Sequence, residues 1–157
     1  PRADRLLGQA ADGMRALIEQ EKIQFVVEEA GPELQLDCDE GAIEQVLMNL
    51  LENAAKYTPA GGMIRLRAEP RGEFVRFSVS DTGTGIAAEH IPRLFERFYR
   101  VDKARSRALG GTGLGLAIVK HIVLAHRGSV EVESIIGEGS VFSFLLPVRT
   151  PVRAGES

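Results

Sequence analysis

The sequence predicts an α+β fold in which helices cover one face of a mixed or antiparallel sheet. Helical patterns alternate with single or paired strand patterns along the chain, and an irregular insert at 82–112 interrupts the second half. The helices at 5–20 and 40–57 each carry an apolar stripe, and the paired strands alternate apolar and polar residues. Each element therefore has one side to bury, and two layers packed through those sides satisfy all of them.

The composition is that of an ordinary globular domain. The 157 residues suit one domain, with 44% hydrophobic and 26% charged residues. A net charge of −3 and an isoelectric point near 5.7 argue against a general binder of nucleic acid or membrane surfaces. The single Cys38 excludes an internal disulfide, and no apolar run reaches the roughly 20 residues that span a bilayer. Because the chain begins at Pro1 rather than Met, we expect a piece of a longer protein.

The elements follow in order. An apolar stripe predicts a helix over 5–20, and β-rich residues predict a strand over 23–28. Asp39 suits the N-cap of a long helix over about 40–57. The remaining predictions are a hairpin of strands at 63–69 and 73–80, the irregular insert at 82–112 with a short helical patch at 91–100, a helix at about 114–126, strands at 129–134 and 140–147, and a disordered tail at 149–157.

The helix at 40–57 carries polar side chains beside its apolar face. At about 100° per residue, Asn49, Asn53 and Lys56 fall within roughly 60° of one another, and Tyr57 lies between them and the apolar face. The Asn53 amide oxygen could bind a hard cation, and Lys56 could bind phosphate as a point charge. A solvated helix flank is the alternative.

Asp81 ends the second strand of the first hairpin. It continues the phase of the apolar Val75, Phe77 and Val79, so its carboxylate is directed inward. An inward carboxylate needs hydrogen-bond donors, and the exocyclic amino group of adenine would supply one. The glycines in the following TGTGI permit a sharp turn or a close ligand. The alternative is that Asp81 only caps its own turn.

A glycine-rich run, GGTGLGLA at 110–117, leads directly into the third predicted helix. Its G-x-G-x-G spacing differs from the dinucleotide fingerprint, and no G-K-[ST] follows as in a P-loop. It remains a glycine-rich segment at a helix N-terminus, where free amides and the helix dipole favour anions. A flexible linker is the alternative, and the immediate start of apolar helical residues argues against it.

The insert combines cations with aromatic side chains. Such interleaving could indicate nucleic acid. The more ordinary interpretation is a short amphipathic patch that docks through its aromatics and leaves cations facing phosphate. The histidines, His90, His121 and His126, fit no metal spacing, so we interpret them as structural or solvated.

Taken together, four motifs resemble those of the ATP-binding catalytic domain of bacterial sensor histidine kinases. NLLENAAKYT (49–58) is similar to the N box, DTGTGI (81–86) to the G1 box, FERFYR (95–100) to the F box and GGTGLGLA (110–117) to the G2 box. The phosphate-regulon-type sensor kinases are the most similar. The resemblance implies a two-layer α/β sandwich of the Bergerat type, with a mixed, mostly antiparallel sheet, three main helices on one face and an ATP lid.

The resemblance also implies roles for the matching residues. Asp81 would accept a hydrogen bond from the adenine amino group, Asn53 would hold Mg²⁺, and Arg100 would reach the γ-phosphate from the lid. Asn49 and Lys56, near the phosphates, would complete the catalytic set with Arg100. The implied nucleotide-binding residues are Asn53, Tyr57, Asp81, Gly83, Gly85, Ile86, Thr112, Gly113, Leu114, Gly115 and Leu116.

As a member of a two-component system, the chain would be a cytoplasmic protein-histidine kinase domain at 1–148, with its lid at about 87–112. It would pass the γ-phosphoryl group of Mg-ATP to a histidine on a separate dimerisation domain. That domain, which would make the parent a homodimer, and a response regulator are the expected partners. Nucleic acid is not expected, and the parent can be an inner-membrane sensor.

Two alternatives remain at this point. One is an ATP-hydrolysing relative of the gyrase type, and the other is a degenerate nucleotide-binding scaffold. The gyrase type has a carboxylate at the position of Asn49, and an amide cannot act as that base. The presence of every box residue argues against the scaffold.

Overall fold

The computed structural model describes residues 2–28, 34–96 and 115–148. Its helices are α1 (Ala3–Gln20), α2 (Glu40–Tyr57) and α3 (Gly115–Ala125), with a short 3₁₀ helix at Ala88–Arg93. Its strands are β1 (Gln24–Glu28), β2 (Met63–Arg71), β3 (Phe74–Asp81), β4 (Ser129–Ile135) and β5 (Gly139–Pro147). The main helices and strands fall where the sequence predicts them. No helix in these ranges has the length and apolar character needed to cross a membrane.

The strands form one mixed sheet in the order β1-β2-β3-β5-β4. β1 and β2 run parallel, whereas the other neighbouring pairs are antiparallel. The alternating Val75, Phe77 and Val79 of β3 are buried in the core shared with the helices, and Phe77 stacks on Phe144 of β5 with 4.9 Å between ring centroids. The predicted sandwich, with helices on one face of a mostly antiparallel sheet, is confirmed.

The opposite face of the sheet carries a network of charged side chains. Arg76 of β3 lies 3.2 Å from Glu69 of β2 and 3.9 Å from Glu131 of β4. Glu28 of β1 lies 3.3 Å from Arg65 of β2. A sheet with one apolar face and one charged face needs a helical layer on one side only, which accounts for two layers rather than three.

The β2–β3 hairpin is tighter than predicted. β2 continues through Pro70 and Arg71, which leaves two residues for the turn. Proline is compatible with this strand because the pairing of β2 with β1 ends earlier, at Arg67.

The insert contains a 3₁₀ helix at Ala88–Arg93, which overlaps only the start of the predicted helical patch at 91–100. Pro92 lies inside it, and proline lacks the N–H that an α-helix requires there. Residues 97–112 of the insert, which include the second part of that patch, lie outside the described residues, as does the tail at 149–157.

His126 joins the end of α3 to the start of α2. Its Nε2 accepts a hydrogen bond from the main-chain N–H of Asp39 at 3.1 Å, and its Nδ1 lies 2.8 Å from the carbonyl oxygen of Ile122. The neutral tautomer with its proton on Nδ1 satisfies both contacts. Asp39 in turn caps α2 as predicted, because its Oδ1 accepts from the N–H of Ala42 at 3.1 Å. His126 is therefore a structural histidine.

We predict that His126→Ala lowers the free energy of unfolding by about 1 kcal/mol, because it removes the hydrogen bond that joins the end of α3 to the start of α2. His121→Ala is the matched control, since His121 is an exposed histidine of α3, and it should change the value by less than about 0.5 kcal/mol. Urea denaturation followed by circular dichroism measures both. Equal effects of the two substitutions would contradict the structural role.

Candidate active site

The candidate site is built around the loop that follows β3. Thr84, in the middle of this loop, donates its N–H to the carbonyl oxygen of Tyr57 at the end of α2, at 3.2 Å. The carbonyl oxygen of Thr84 accepts from the N–H of Gly137, between β4 and β5, at 2.7 Å. The loop is therefore held between the end of α2 and the β4–β5 hairpin.

Asp81, the last residue of β3, lies opposite Ile64 of β2 and Ser140 of β5. It has the phase of the buried Val79, so its carboxylate is directed toward the core side. Burial raises the pKa of Asp81, because the charged form is disfavoured away from water, and hydrogen bonds from the N–H groups of Gly83 and Ser140 oppose this shift. The bond from Gly83 measures 2.9 Å.

The bond from Gly83 shows that Asp81 does cap its own turn. An ionised carboxylate has two oxygens and about four acceptor sites, and two main-chain N–H groups use only part of them. The capping interpretation and a ligand-binding role are therefore compatible.

Two glycines of the loop are required by close contacts with the main chain. A Cβ on Gly83 would lie 2.3 Å from the carbonyl oxygen of Tyr57. A Cβ on Gly85, whose φ is +71°, would lie 2.2 Å from the carbonyl oxygen of Ile135. These neighbours belong to the protein, so the D-x-G-x-G spacing is explained by packing of the loop rather than by a close ligand. Ile86 ends the loop and packs, half-buried, against the core.

The polar flank of α2, formed by Asn49, Asn53 and Lys56, borders α3. All three residues are half-buried, whereas the neighbouring Glu52 is exposed. The Asn49 Nδ2 donates to the carbonyl oxygen of Gly115, at the start of α3, over 3.5 Å. The polar flank therefore extends from the start of α3 to the end of α2, where α2 meets the loop. A fully solvated flank is not what the structure shows.

The described residues hold no ready-made acidic metal site. Across 2–28, 34–96 and 115–148, no group of three or more His, Cys, Asp or Glu side chains could hold a metal ion. Asn53 offers an amide oxygen at a half-buried position. Mg²⁺ commonly takes one or two protein oxygens together with phosphate oxygens. The amide oxygen of Asn53 therefore fits a Mg²⁺ that is bound together with a nucleotide.

Several predicted site residues lie outside the described residues. They are Arg100, Thr112, Gly113 and Leu114, together with most of the predicted lid. Gly115 and Leu116 lie in α3, and Leu116 packs against the core. The described part of the F box docks through Phe95, whose ring meets that of Phe142 edge-on with 6.5 Å between centroids.

Sequence reasoning missed two serines that lie in the same row across the sheet as Asp81. Ser134 of β4 and Ser140 of β5 face each other across the strand pair, and their hydroxyl oxygens are 2.8 Å apart. Ser134 has the phase of the half-buried Val130 and Val132. A hydroxyl at an apolar position of an alternating strand is the signal that could have identified it.

Comparison with known proteins assigns the family. The family model of histidine kinase-, DNA gyrase B- and HSP90-like ATPases matches residues 38–150. The phosphate regulon sensor protein PhoR of Pseudomonas aeruginosa is 48% identical over 115 residues, which make up 73% of this chain and 26% of that protein. The chain therefore spans about a quarter of that relative's length, and the predicted similarity to phosphate-regulon-type sensor kinases is confirmed.

Solved structures agree with this assignment. The mycobacterial sensor histidine kinase MprB has a TM-score of 0.82 at 30% identity, over 94% of this chain and 96% of that one. Full-length ShkA in complex with AMPPNP has a TM-score of 0.81 at 36% identity, over 94% of this chain and 30% of that one. The chain belongs to the family of histidine kinase-, DNA gyrase B- and HSP90-like ATPases, and within it to the ATPase catalytic domains of sensor histidine kinases.

Proposed function

We propose that this domain binds Mg-ATP and donates its γ-phosphoryl group to a histidine on a separate dimerisation domain. The observation that carries the proposal is the meeting of two polar features at the loop after β3. One is the half-buried carboxylate of Asp81, and the other is the polar flank of α2. The hydrogen bond between Thr84 and Tyr57 joins them, which supports a site with a base-binding end and a phosphate-binding end.

At the base-binding end, Asp81 would accept a hydrogen bond from the exocyclic amino group of adenine. A purine with a carbonyl oxygen at that position would leave the carboxylate facing another acceptor, and an unsatisfied buried polar group costs about 1–3 kcal/mol. Tyr57 and Ile86, at the two sides of the loop, would contact the base. Gly83 and Gly85 would contribute by allowing the loop to pack closely against the end of α2 and the end of β4.

At the phosphate-binding end, Lys56 would supply a positive charge and Asn53 an amide oxygen for Mg²⁺, which when bound neutralises phosphate charge. The start of α3, at Gly115 and Leu116, would direct main-chain N–H groups and the positive end of the helix dipole at the phosphates. The contact between Asn49 and Gly115 supports this, because it brings the polar flank beside that helix end. Arg100, Thr112, Gly113 and Leu114 would complete the phosphate-binding end.

Asn49 favours phosphoryl transfer over hydrolysis. An amide cannot take a proton from water, and Glu52 is exposed on the same helix. The task of the domain is then to position the nucleotide and neutralise its charge. The acceptor imidazole nitrogen would attack the γ-phosphorus in line, so that an N–P bond forms, the bond to the β–γ bridging oxygen breaks and ADP leaves.

The acceptor histidine would come from a second domain of the parent protein. None of the three histidines here is followed by an acceptor motif of the H-E-x-x-x-P type, and His126 joins two helices. We therefore propose a catalytic domain at 1–148, with its lid at about 87–112, in a cytoplasmic part of a parent that dimerises through the phosphoacceptor domain. The parent would pass the phosphoryl group to a response regulator.

The central test is transfer of radiolabel from γ-labelled ATP to an added cognate dimerisation domain. We expect label with the unchanged domain, and at least a tenfold loss of ATP affinity and of transfer with Asp81→Asn or Asn53→Ala, because each removes an interaction with a charged or metal-bound group worth about 1.5–3 kcal/mol. Asp37→Asn and Glu52→Ala are the controls, since both residues are exposed. Titration calorimetry gives the affinities.

The outcomes separate the alternatives. Absence of ATP binding by the unchanged domain would favour a degenerate scaffold. Rapid ATP hydrolysis without the dimerisation domain, lost in Glu52→Ala, would favour the gyrase-type reaction instead.

The raised pKa of Asp81 also predicts how the stability of the domain depends on pH. The folded chain holds this proton more tightly than the unfolded chain, whose carboxyl has a pKa near 3.8. The contribution of Asp81 to stability is therefore fully present below about 3.8 and is lost as the pH rises through the raised pKa. Relative to Asp81→Asn, the unchanged domain should lose free energy of unfolding across this window and then stay constant. Denaturant titrations at successive pH values measure both free energies of unfolding, and a gain in the stability of the unchanged domain relative to Asp81→Asn as the pH rises would refute the prediction.

A further inference from the structure

Ser134 lies on the inward side of β4, separated by β5 from the end of β3 that carries Asp81. Its register partner is Ser140 of β5, and Ser140 is in turn the register partner of Asp81. The three residues thus form one row across β4, β5 and β3. Ser140 is buried, with 6% of its surface exposed, so its polar groups need hydrogen-bond partners within the protein.

The hydroxyl of Ser134 makes three contacts. It accepts from the main-chain N–H of Ile86 at 2.7 Å, donates to the carbonyl oxygen of Gly139 at 3.0 Å, and lies 2.8 Å from the hydroxyl oxygen of Ser140. A serine hydroxyl has one hydrogen and two acceptor sites. Since its hydrogen is given to Gly139, the hydrogen between the two serines comes from Ser140, and the capacity of Ser134 is filled.

These contacts link both ends of the loop after β3. At the start of the loop, Ser140 donates its N–H to the Asp81 carboxylate and its hydroxyl to Ser134. At the end of the loop, Ile86 donates its N–H to the same Ser134 hydroxyl, across 48 positions of sequence. One hydroxyl therefore connects the carboxylate to the residue that closes the loop.

We propose that Ser134 is a positioning residue for the base of the nucleotide, which it serves by holding Ile86 at a fixed distance from the Asp81 carboxylate. The inference rests on the proposed binding of ATP at this loop. Ser134 acts through Ile86 and Ser140 and not by contact with the ligand. Its loss leaves the middle of the loop tied through Thr84, so the loop stays in place while its base-facing end loosens.

The test compares the binding of ATP with that of inorganic tripolyphosphate, which lacks a base. For Ser134→Ala we expect about 5- to 30-fold weaker binding of ATP, the equivalent of one or two hydrogen bonds, and less than a twofold change for tripolyphosphate. Ser134→Thr keeps the hydroxyl and should bind ATP within about threefold of the unchanged domain. Ser129→Ala, at an exposed position of the same strand, is the matched control and should change neither affinity.

Amide hydrogen exchange gives a second measurement, which does not depend on the nucleotide. In the nucleotide-free domain, Ser134→Ala should lower the protection of the Ile86 amide by a factor of about ten, whereas the Thr84 amide keeps its protection. If Ser134→Ala does not fold, Ser134→Cys takes its place, because a thiol fills the space of the hydroxyl but is only a weak hydrogen-bond donor and acceptor.

Three outcomes would overturn the inference: unchanged ATP affinity in the alanine variant, equal losses for ATP and tripolyphosphate, or an unchanged Ile86 amide. The first two, seen while the unchanged domain binds ATP, refute the role of Ser134 and leave the proposed function intact. Failure of the unchanged domain to bind ATP refutes both.

Discussion

The candidate site depends on one packing constraint: the loop after β3 must touch α2 and the β4–β5 hairpin at the same time. The main-chain atoms approach one another closely. A Cβ on Gly83 would lie 2.3 Å from the carbonyl oxygen of Tyr57, and a Cβ on Gly139 would lie 2.0 Å from the carbonyl oxygen of Asp81. Only glycine fits at either position. Because the loop joins the helical layer to the sheet, these contacts fix where Asp81 lies relative to the polar flank of α2.

The same packing explains how a carboxylate is tolerated at the core side of the sheet. Burial disfavours the charged form of Asp81, and the two N–H groups that reach it offset only part of that cost, since its pKa remains raised. A neutral residue would serve the fold better at neutral pH. A carboxylate that is held where its charged form is disfavoured is typical of a binding site, and Asp81 combines this with capping its own turn.

The predictable parts of the site are properties of single elements. The helical period brings Asn49, Asn53 and Lys56 together, and the period of a strand directs Asp81 inward; both follow from spacing within one segment. The role of Ser134 could not be predicted this way, because its partner Ile86 is 48 positions away and is reached only in the β3–β5–β4 register. The nearest atom that excludes a side chain at Gly83, the Tyr57 carbonyl oxygen, likewise belongs to α2, which spacing in the loop does not specify.

The two ends of the site differ in how they are held. The base-binding end is fixed by strand pairing and by hydrogen bonds of 2.7–3.0 Å around Ser134. At the phosphate-binding end, the hydrogen bond from Asn49 to Gly115 is 3.5 Å long, at the weak limit for such a bond. In the proposed complex the start of α3 would therefore be held to the polar flank less tightly than Ile86 and Asp81 are held in the loop, because displacing those two residues breaks shorter hydrogen bonds. We expect the nucleotide to be oriented by its base first, with the contacts from α3 forming around phosphates that Asp81 has already brought into place.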